Sequence, residues 1–395
     1  TDDRIAAAVR AIGLLGDASA VPSLLPLLSC DQPDLLGRAA LALGRLKAKE
    51  AVKPLLALLD KDDSSNVPFP QVLGALARVG DPAAFAPLQA FYLSRPAYRR
   101  QAVLAIAQLD GPAATKFLVD RAKSSDDEFE VRLALDALVR HATTIHGNAD
   151  LGEAALAALT RQPSDLRVKA LELIQHVRWK PAADAVLKLC ASSDSSVMRA
   201  AAEAIGWVGD QSALETLHGL MKNDDPTLKL VVAVSLARLG EKGPLLAQLA
   251  AAKKAVADAP TDHAARFELG LIDLYAKDDK SGAAEFARLV KDQPDDYTSM
   301  YNLACAESLL GEPDAATADL KKSIQGGQGQ WQDMSWHMDL DDDLDAIRDL
   351  PAVKAMLDDL RKSSNDGLLN DGLDDETSME WPGMQGQQVF FGQGQ

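Results

Sequence analysis

The chain has 395 residues, a net charge of −17, 5% aromatic residues and three cysteines that show no paired spacing. From Trp331 onward fifteen Asp/Glu stand against four Lys/Arg, so this stretch carries −11 and everything before it only −6. That balance gives little support to a nucleic-acid surface, which needs a clustered basic stripe, and no apolar run reaches the roughly 18 residues that span a bilayer.

Taken in order, Asp2 or Asp3 can cap a first helix whose inward stripe is expected at Ile5, Ala8, Val9 and Ile12. Nothing ahead of it reads as a polar end cap, so a further repeat or a docked partner is expected on that side. A second hairpin spans about Pro33 to Leu59. The third enters through Val67-Pro68-Phe69-Pro70, where two prolines are expected to distort the stacking. Hairpins follow from Arg99 to Ala122 and from Val131 to Leu159, the latter with an insertion at His141 to Asp150 that could reach a partner. Two more run from Leu166 to Cys190 and from Val197 to Met221, and another starts at Leu228.

The stretch Ser196 to Asn223, SVMRAAAEAIGWVGDQSALETLHGLMKN, shows the unit most clearly. Val197, Ala201, Ala204, Ile205 and Val208 lie on one face of a 3.6-residue helix. Gly209 is expected in the left-handed closing position, with Asp210 accepting from the amides that open the next helix, whose inward face is Leu214, Leu217, Leu220 and Met221. The same Gly-Asp turn occurs at Gly16-Asp17 and Gly80-Asp81. The steps from Gly16 to Gly80 and from Gly80 to Gly209 are two and four units of about 32 residues, a solenoid period. Degenerate turns fill the gaps at Lys47 to Ala51, Asp110-Gly111-Pro112, Trp179-Lys180-Pro181 and Gly240-Glu241.

AAAEAIGWVGDQSALETL and AVRAIGLLGDASAVPSLLPLL resemble HEAT repeats of the short bacterial kind also found in phycobilisome lyases. The resemblance covers roughly Asp2 to Ala250 and implies an α-solenoid; most proteins with such repeats are scaffolds or adaptors, and a few are enzymes. After Ala259-Pro260 the period changes. Leu269-Gly270 and Leu303-Ala304 are separated by the period of a tetratricopeptide repeat (TPR), about 34 residues. Phe286 and Pro294 fall where such a repeat places its later Phe and closing Pro. YNLACAESLLGEPDAATADLKKSI resembles a second such repeat, and DLDAIRDLPAVKAMLDDL resembles the helical segment that often closes bacterial arrays of this type. The expected order is therefore a HEAT-like solenoid at 1–258, two TPRs at 259–330, an acidic closing helical segment at 331–362 and a flexible tail at 363–395.

Catalytic signatures are sparse. The sequence has no GxxxxGK[ST], HExxH, CxxC or GxSxG. HEAT-repeat hydroxylases that bind iron resemble one another in carrying His-Glu pairs; none of the six histidines here is followed by Glu. His141 and His146 flank a loop at a spacing poor for a metal. HEAT-like glycosylases need a basic, aromatic face. Trp179 and Trp207 stand near neighbouring turns, with Arg178 and Arg199 in the same repeats, but packing between repeats is the simpler role for both rings. The acidic run Asp339 to Asp345 has Leu344 and Leu350 where an EF-hand needs Gly and Glu, and reads as a solvated, helix-capping stretch. No catalytic residue, metal site or cofactor is assigned.

The binding surface expected is the TPR groove, presenting Phe267, Leu271 and Tyr275 from one repeat and Tyr301, Asn302 and Cys305 from the next. Glu268 at the position matching Asn302 argues against a carboxylate clamp, and an extended or helical peptide fits better. In the tail, Trp381, Phe390 and Phe391 could anchor in a partner's groove. The sequence thus reads as an all-α solenoid of about eight HEAT-like hairpins continued by TPRs, a noncatalytic scaffold or adaptor whose partners are proteins. A HEAT-fold enzyme, a bilin lyase or a nucleic-acid-processing protein, is the alternative. The cysteines read as free, buried thiols and favour a reducing, cytoplasmic compartment, while a removed signal peptide would allow the periplasm.

Overall fold

The computed structural model describes residues 2–141, 146–327, 331, 338 and 341–360. Among the described residues every regular element is a helix, and the fold is an all-α solenoid. The chain divides into two compact units at Thr143/Thr144.

The first unit holds α1 (Asp2–Leu15), α2 (Val21–Leu24), α3 (Pro33–Arg45), α4 (Val52–Leu59), α5 (Phe69–Val79), α6 (Phe85–Ser94), α7 (Arg99–Ile106), α8 (Pro112–Ser124) and α9 (Glu128–His141). Helices α1, α3, α5 and α7 pack one on the next. Small residues set that spacing: a Cβ on Gly13 would lie 2.8 Å from Ala42 Cα, and one on Gly44 2.7 Å from Ala75 Cα. The turns form as their residues dictate. Gly16 (φ 75°) and Gly80 (φ 66°) take the left-handed position, while Asp17 and Asp81 accept from Ser19 N and Ala83 N, each at 2.9 Å. In the degenerate turn Lys47 occupies the left-handed position itself (φ 50°).

Two expectations fail in this unit. Of the expected stripe Val9 is buried and Ile12 half-buried, but Ala8 and Ile5 are exposed, Ile5 at 48%, and Ala6 and Gly13 complete the buried face. Close approach to α3 favours small side chains there, and Ile5 turns away. Pro68 and Pro70 do not disturb the stacking either. They stand at the N-cap and first turn of α5, where proline's missing amide is harmless, and α5 packs on α3.

The second unit holds α10 (Ala149–Ala158), α11 (Ser164–Val177), α12 (Ala183–Leu189), α13 (Ser195–Val208), α14 (Leu214–Leu220), α15 (Pro226–Arg238), α16 (Gly243–Asp258), α17 (His263–Tyr275), α18 (Asp279–Asp292), α19 (Tyr297–Leu310), α20 (Pro313–Gly326), α21 (Asp345–Arg348) and a helix at 351–360. Helices α11, α13 and α15 stack in series, and from α16 to α20 each helix packs on the next. On α13 Val197, Ala201, Ala204, Ile205 and Val208 are all buried. A Cβ on Gly206 would lie 2.8 Å from Ser235 Cα, repeating the close approach seen at Gly13 and Gly44.

Asp210 caps through Ser212 N at 2.8 Å, but Gly209 is extended (φ −78°, ψ −178°) rather than left-handed. Glycine is needed there for space: a Cβ would meet Ile205 O at 2.6 Å. On α14 only Leu217 of the expected inward four is fully buried, with Leu214, Leu220 and Met221 less so. Leu344 to Leu360 is helical in two pieces that break at Asp349–Leu350, ahead of Pro351, whose ring disfavours helix in the preceding residue. Cys190 and Cys305 are buried, and Cys30 is half-buried.

Candidate functional site

Within the second unit, the C-terminal ends of successive helices gather cationic and aromatic side chains around one acidic segment. Helix α11 ends on Arg178, which is left-handed (φ 55°, ψ 44°). From there its guanidinium stacks over the Trp207 ring at 4.7 Å, while Arg238, the last residue of α15, covers that ring at 4.1 Å. A half-buried indole this close to two guanidiniums attracts both through the negative potential of its ring. Beside Arg238, Glu203 and Tyr275 line a small, open recess walled by Leu230, Val231 and Val234. Burial, with the Glu203 carboxylate nearby, pushes the Tyr275 hydroxyl above its ordinary range.

Asp341, Asp342 and Asp343 enter these surroundings one after another. Asp341 Oδ2 accepts from the Tyr301 hydroxyl at 2.6 Å, with Cys305 Sγ at 3.7 Å. Its Oδ1 accepts from Asp343 N at 3.0 Å, capping the 3₁₀ turn Asp342–Leu344. Asp342 pairs with Arg178 Nη2 at 2.5 Å and with His146 Nε2 at 3.3 Å. His146 Nδ1 also faces the His176 carbonyl at 2.7 Å, so both ring nitrogens point at acceptor oxygens. Asp343 is half-buried. Burial first, then Asp341, pushes its carboxyl up to about 7, against the opposing pull of Lys277. Lys277, like Arg178, is left-handed (φ 64°).

The aspartates are held down by the residues that follow. Leu344 and Ile347 are fully buried against Ala304, Ala316 and Leu320, and Val353 and Leu357 extend the same core. Trp331 packs on Tyr301 with ring centroids 5.2 Å apart and donates from Nε1 to Ser323 O at 3.0 Å. Burial drives both the Tyr301 hydroxyl and the Cys305 thiol well above their ordinary ranges, so the thiol stays protonated and is a poor nucleophile.

The residues expected to line an open groove therefore divide. Tyr275 lines the recess, and Tyr301 is buried under the acidic segment. Phe267 stands edge-on to Phe286 at 5.5 Å, and Leu271 packs in the same core. Asn302 turns its amide back to Thr298 O at 2.9 Å. Trp381, Phe390 and Phe391 lie outside the described residues. Of the acidic run, Asp341 caps a helical turn as expected and Asp345 is exposed, but Asp341, Asp342 and Asp343 are half-buried rather than solvated, because Tyr301 and Arg178 give carboxylates partners and Leu344 pins the segment down; Asp339 lies outside the described residues. Trp207 is a cation platform; Trp179 packs so closely on Gly152 that its indole leaves no room there for a Cβ.

Arg238, Glu203 and Lys277 escaped the reading of the sequence. For Lys277 a signal existed: it precedes Gly311 by the same step that separates Leu269 from Leu303, and Gly311 closes the following hairpin at φ 75°.

Among the described residues no cluster of three His, Cys, Asp or Glu could hold a metal ion, and no helix is long and apolar enough to cross a membrane. The HEAT-repeat family model matches residues 2–67 and 152–237. The chain thus carries HEAT repeats in an all-α solenoid. Among solved structures, human deoxyhypusine hydroxylase in complex with glycerol is similar at 18% identity over 60% of this chain and 98% of that one, with a TM-score of 0.28. An engineered protein is similar at 19% identity over 56% of this chain and 97% of that one, with a TM-score of 0.25. No curated protein sequence matches the chain.

Proposed function

We propose that the protein is a noncatalytic scaffold or adaptor that holds other proteins along its repeats and through its acidic C-terminal segment. The observation that carries this reading is the seating of 341–360 on the second unit. A peptide-like stretch is held there by a Tyr–Asp hydrogen bond, a stacked arginine and two buried apolar anchors. Repeats that hold a segment of their own chain in this way have the chemistry for holding a segment of another.

In this reading α17–α20 are two TPRs. Supporting it, Gly270 lies against the Phe286 ring, where a Cβ would be 2.9 Å from Cζ, and Gly282 lies against Leu274 at 2.7 Å. These are close approaches of the kind such repeats make between their paired helices.

The test is affinity capture from the native organism with the intact chain and with one truncated after Arg361, read by mass spectrometry. A stoichiometric partner kept by both places recognition on the repeats, and one lost on truncation assigns it to the tail. No stoichiometric protein partner with either chain overturns the reading.

A further inference from the structure

Three features of the acidic segment's seat point to a ligand class. First, adjacent carboxylates meet different groups brought from far apart: Asp342 meets Arg178, 164 residues away, and Asp341 meets Tyr301, 40 residues away. Second, two of the cations stand where L-residues are disfavoured. Arg178 and Lys277 are left-handed at φ 55° and 64°, and the position equivalent to Lys277 in the next hairpin is Gly311. The Arg178 side chain contacts both Asp342 and Trp207. Third, charge is only half of the contact. Leu344 and Ile347, on one face of a helical turn, are fully buried next to the carboxylates.

We propose that this face of the second unit is a receptor for acidic peptide segments of partner proteins, two or three adjacent carboxylates followed within a turn by a pair of apolar anchors, and that residues 341–348 are its resident, displaceable occupant. The proposal rests on the scaffold reading and names the partner chemistry that reading leaves open. A nucleic-acid strand supplies negative charge but nothing to fill the sites of Leu344 and Ile347. The resident segment is poorly matched to its seat in one respect: Asp341, Asp342 and Asp343 crowd like charges, and Asp343 holds its proton up to about 7. A partner that places fewer carboxylates under cover displaces it on that account. Tethering works in the other direction, since a linked segment competes at an effective concentration in the millimolar range.

The experiment uses the full chain and a fluorescein-labelled peptide of residues 338–348. In fluorescence anisotropy the peptide binds a full-chain Asp341→Asn/Asp342→Asn variant at least tenfold more tightly than the natural chain. Adding Arg178→Glu to that variant weakens it at least tenfold. A peptide carrying Leu344→Ser and Ile347→Ser does not compete, and neither does single-stranded DNA. Circular dichroism checks that each variant is folded. Should one fail to fold, hydrogen exchange on the natural chain decides, because excess peptide then speeds exchange at 341–348 and leaves α13 unchanged. Absence of saturable binding, indifference to Arg178→Glu, equal competition by DNA or unchanged exchange overturns the proposal. If the peptide fails while the intact chain still captures stoichiometric protein partners, the acidic class falls and the scaffold stands; if both fail, both fall.

Discussion

The Tyr301 hydroxyl donates to Asp341 Oδ2 at 2.6 Å, joining α19 to a residue 40 positions later, under cover of Trp331. A buried hydrogen bond to a charged acceptor contributes about 1.5–3 kcal/mol. Tyr301→Phe keeps the ring packing and removes only the donor. It is expected to lower the stability of the second unit by about 1.5–3 kcal/mol in urea denaturation. Amide exchange at 341–348 rises, while the core of α13 is unaffected.

Burial and neighbouring carboxylates push Asp343 and Glu307 each up to about 7. Folding raises the proton affinity of both, so their stabilising contribution is fully present below about pH 4 and is lost as pH climbs through 7. Asp343→Asn and Glu307→Gln each mimic the protonated form. The gain in Tm of each variant over the natural chain is expected to be near zero at pH 4 and to grow from pH 5 to pH 8. A gain that shrinks with rising pH refutes the assignment.

Trp207 meets two guanidiniums, Arg178 at 4.7 Å and Arg238 at 4.1 Å from its ring centroid. Trp207→Ala deletes both stacks and frees Arg178 from its platform. A loss of about 1–3 kcal/mol is expected from two cation–π contacts and their packing. Trp207→Phe keeps a π-face and recovers part of it. Denaturation of the two variants side by side separates the stacking from the loss of bulk.

Gly206 and Gly219 are both helical, but only one is crowded. A Cβ at Gly206 would sit 2.8 Å from Ser235 Cα, whereas at Gly219 nothing lies within 4 Å. Gly206→Ala must push α13 from α15 and is expected to destabilise by about 1–3 kcal/mol. Gly219→Ala is expected to stabilise by about 0.5–1 kcal/mol. Opposite shifts in denaturant midpoint for the same chemical change test the small-residue spacing seen at Gly13, Gly44 and Gly206.

Replacing Lys47, left-handed at φ 50° in a turn where Gly16 and Gly80 hold the equivalent place, tests the repeat register. Lys47→Gly is expected to stabilise the first unit by about 1 kcal/mol. Thermal unfolding of the full chain reads this out.

What the sequence reveals and conceals follows from the range of the forces involved. The Asp17, Asp81 and Asp210 caps are decided within a few residues of chain, and the pattern announces them. The buried face of α13 follows equally from local periodicity. The face of α1 does not, because Ile5 and Ala6 are both apolar and only the approach of Ala42 to Gly13 chooses between them. Gly209 is misread for a related reason: its turn resembles that of Gly80, yet contact with Ile205 rather than a left-handed backbone demands the glycine. The site is the least legible part. Arg178, Trp207, Lys277 and Asp342 each look ordinary where they stand in the sequence, and their meeting depends on pairings that periodicity does not encode.

The 164 residues between Arg178 and Asp342 also set a clock. At roughly 5–20 residues per second, translation completes α11 roughly 10–30 s before it delivers the segment that will cover it. Throughout that interval a nascent chain displays Arg178 and the cations that follow it with no aspartate of its own to meet them. A partner acting during synthesis would find the seat vacant, whereas one arriving later must evict a tethered rival, so the order of encounter, and not affinity alone, decides which chains assemble.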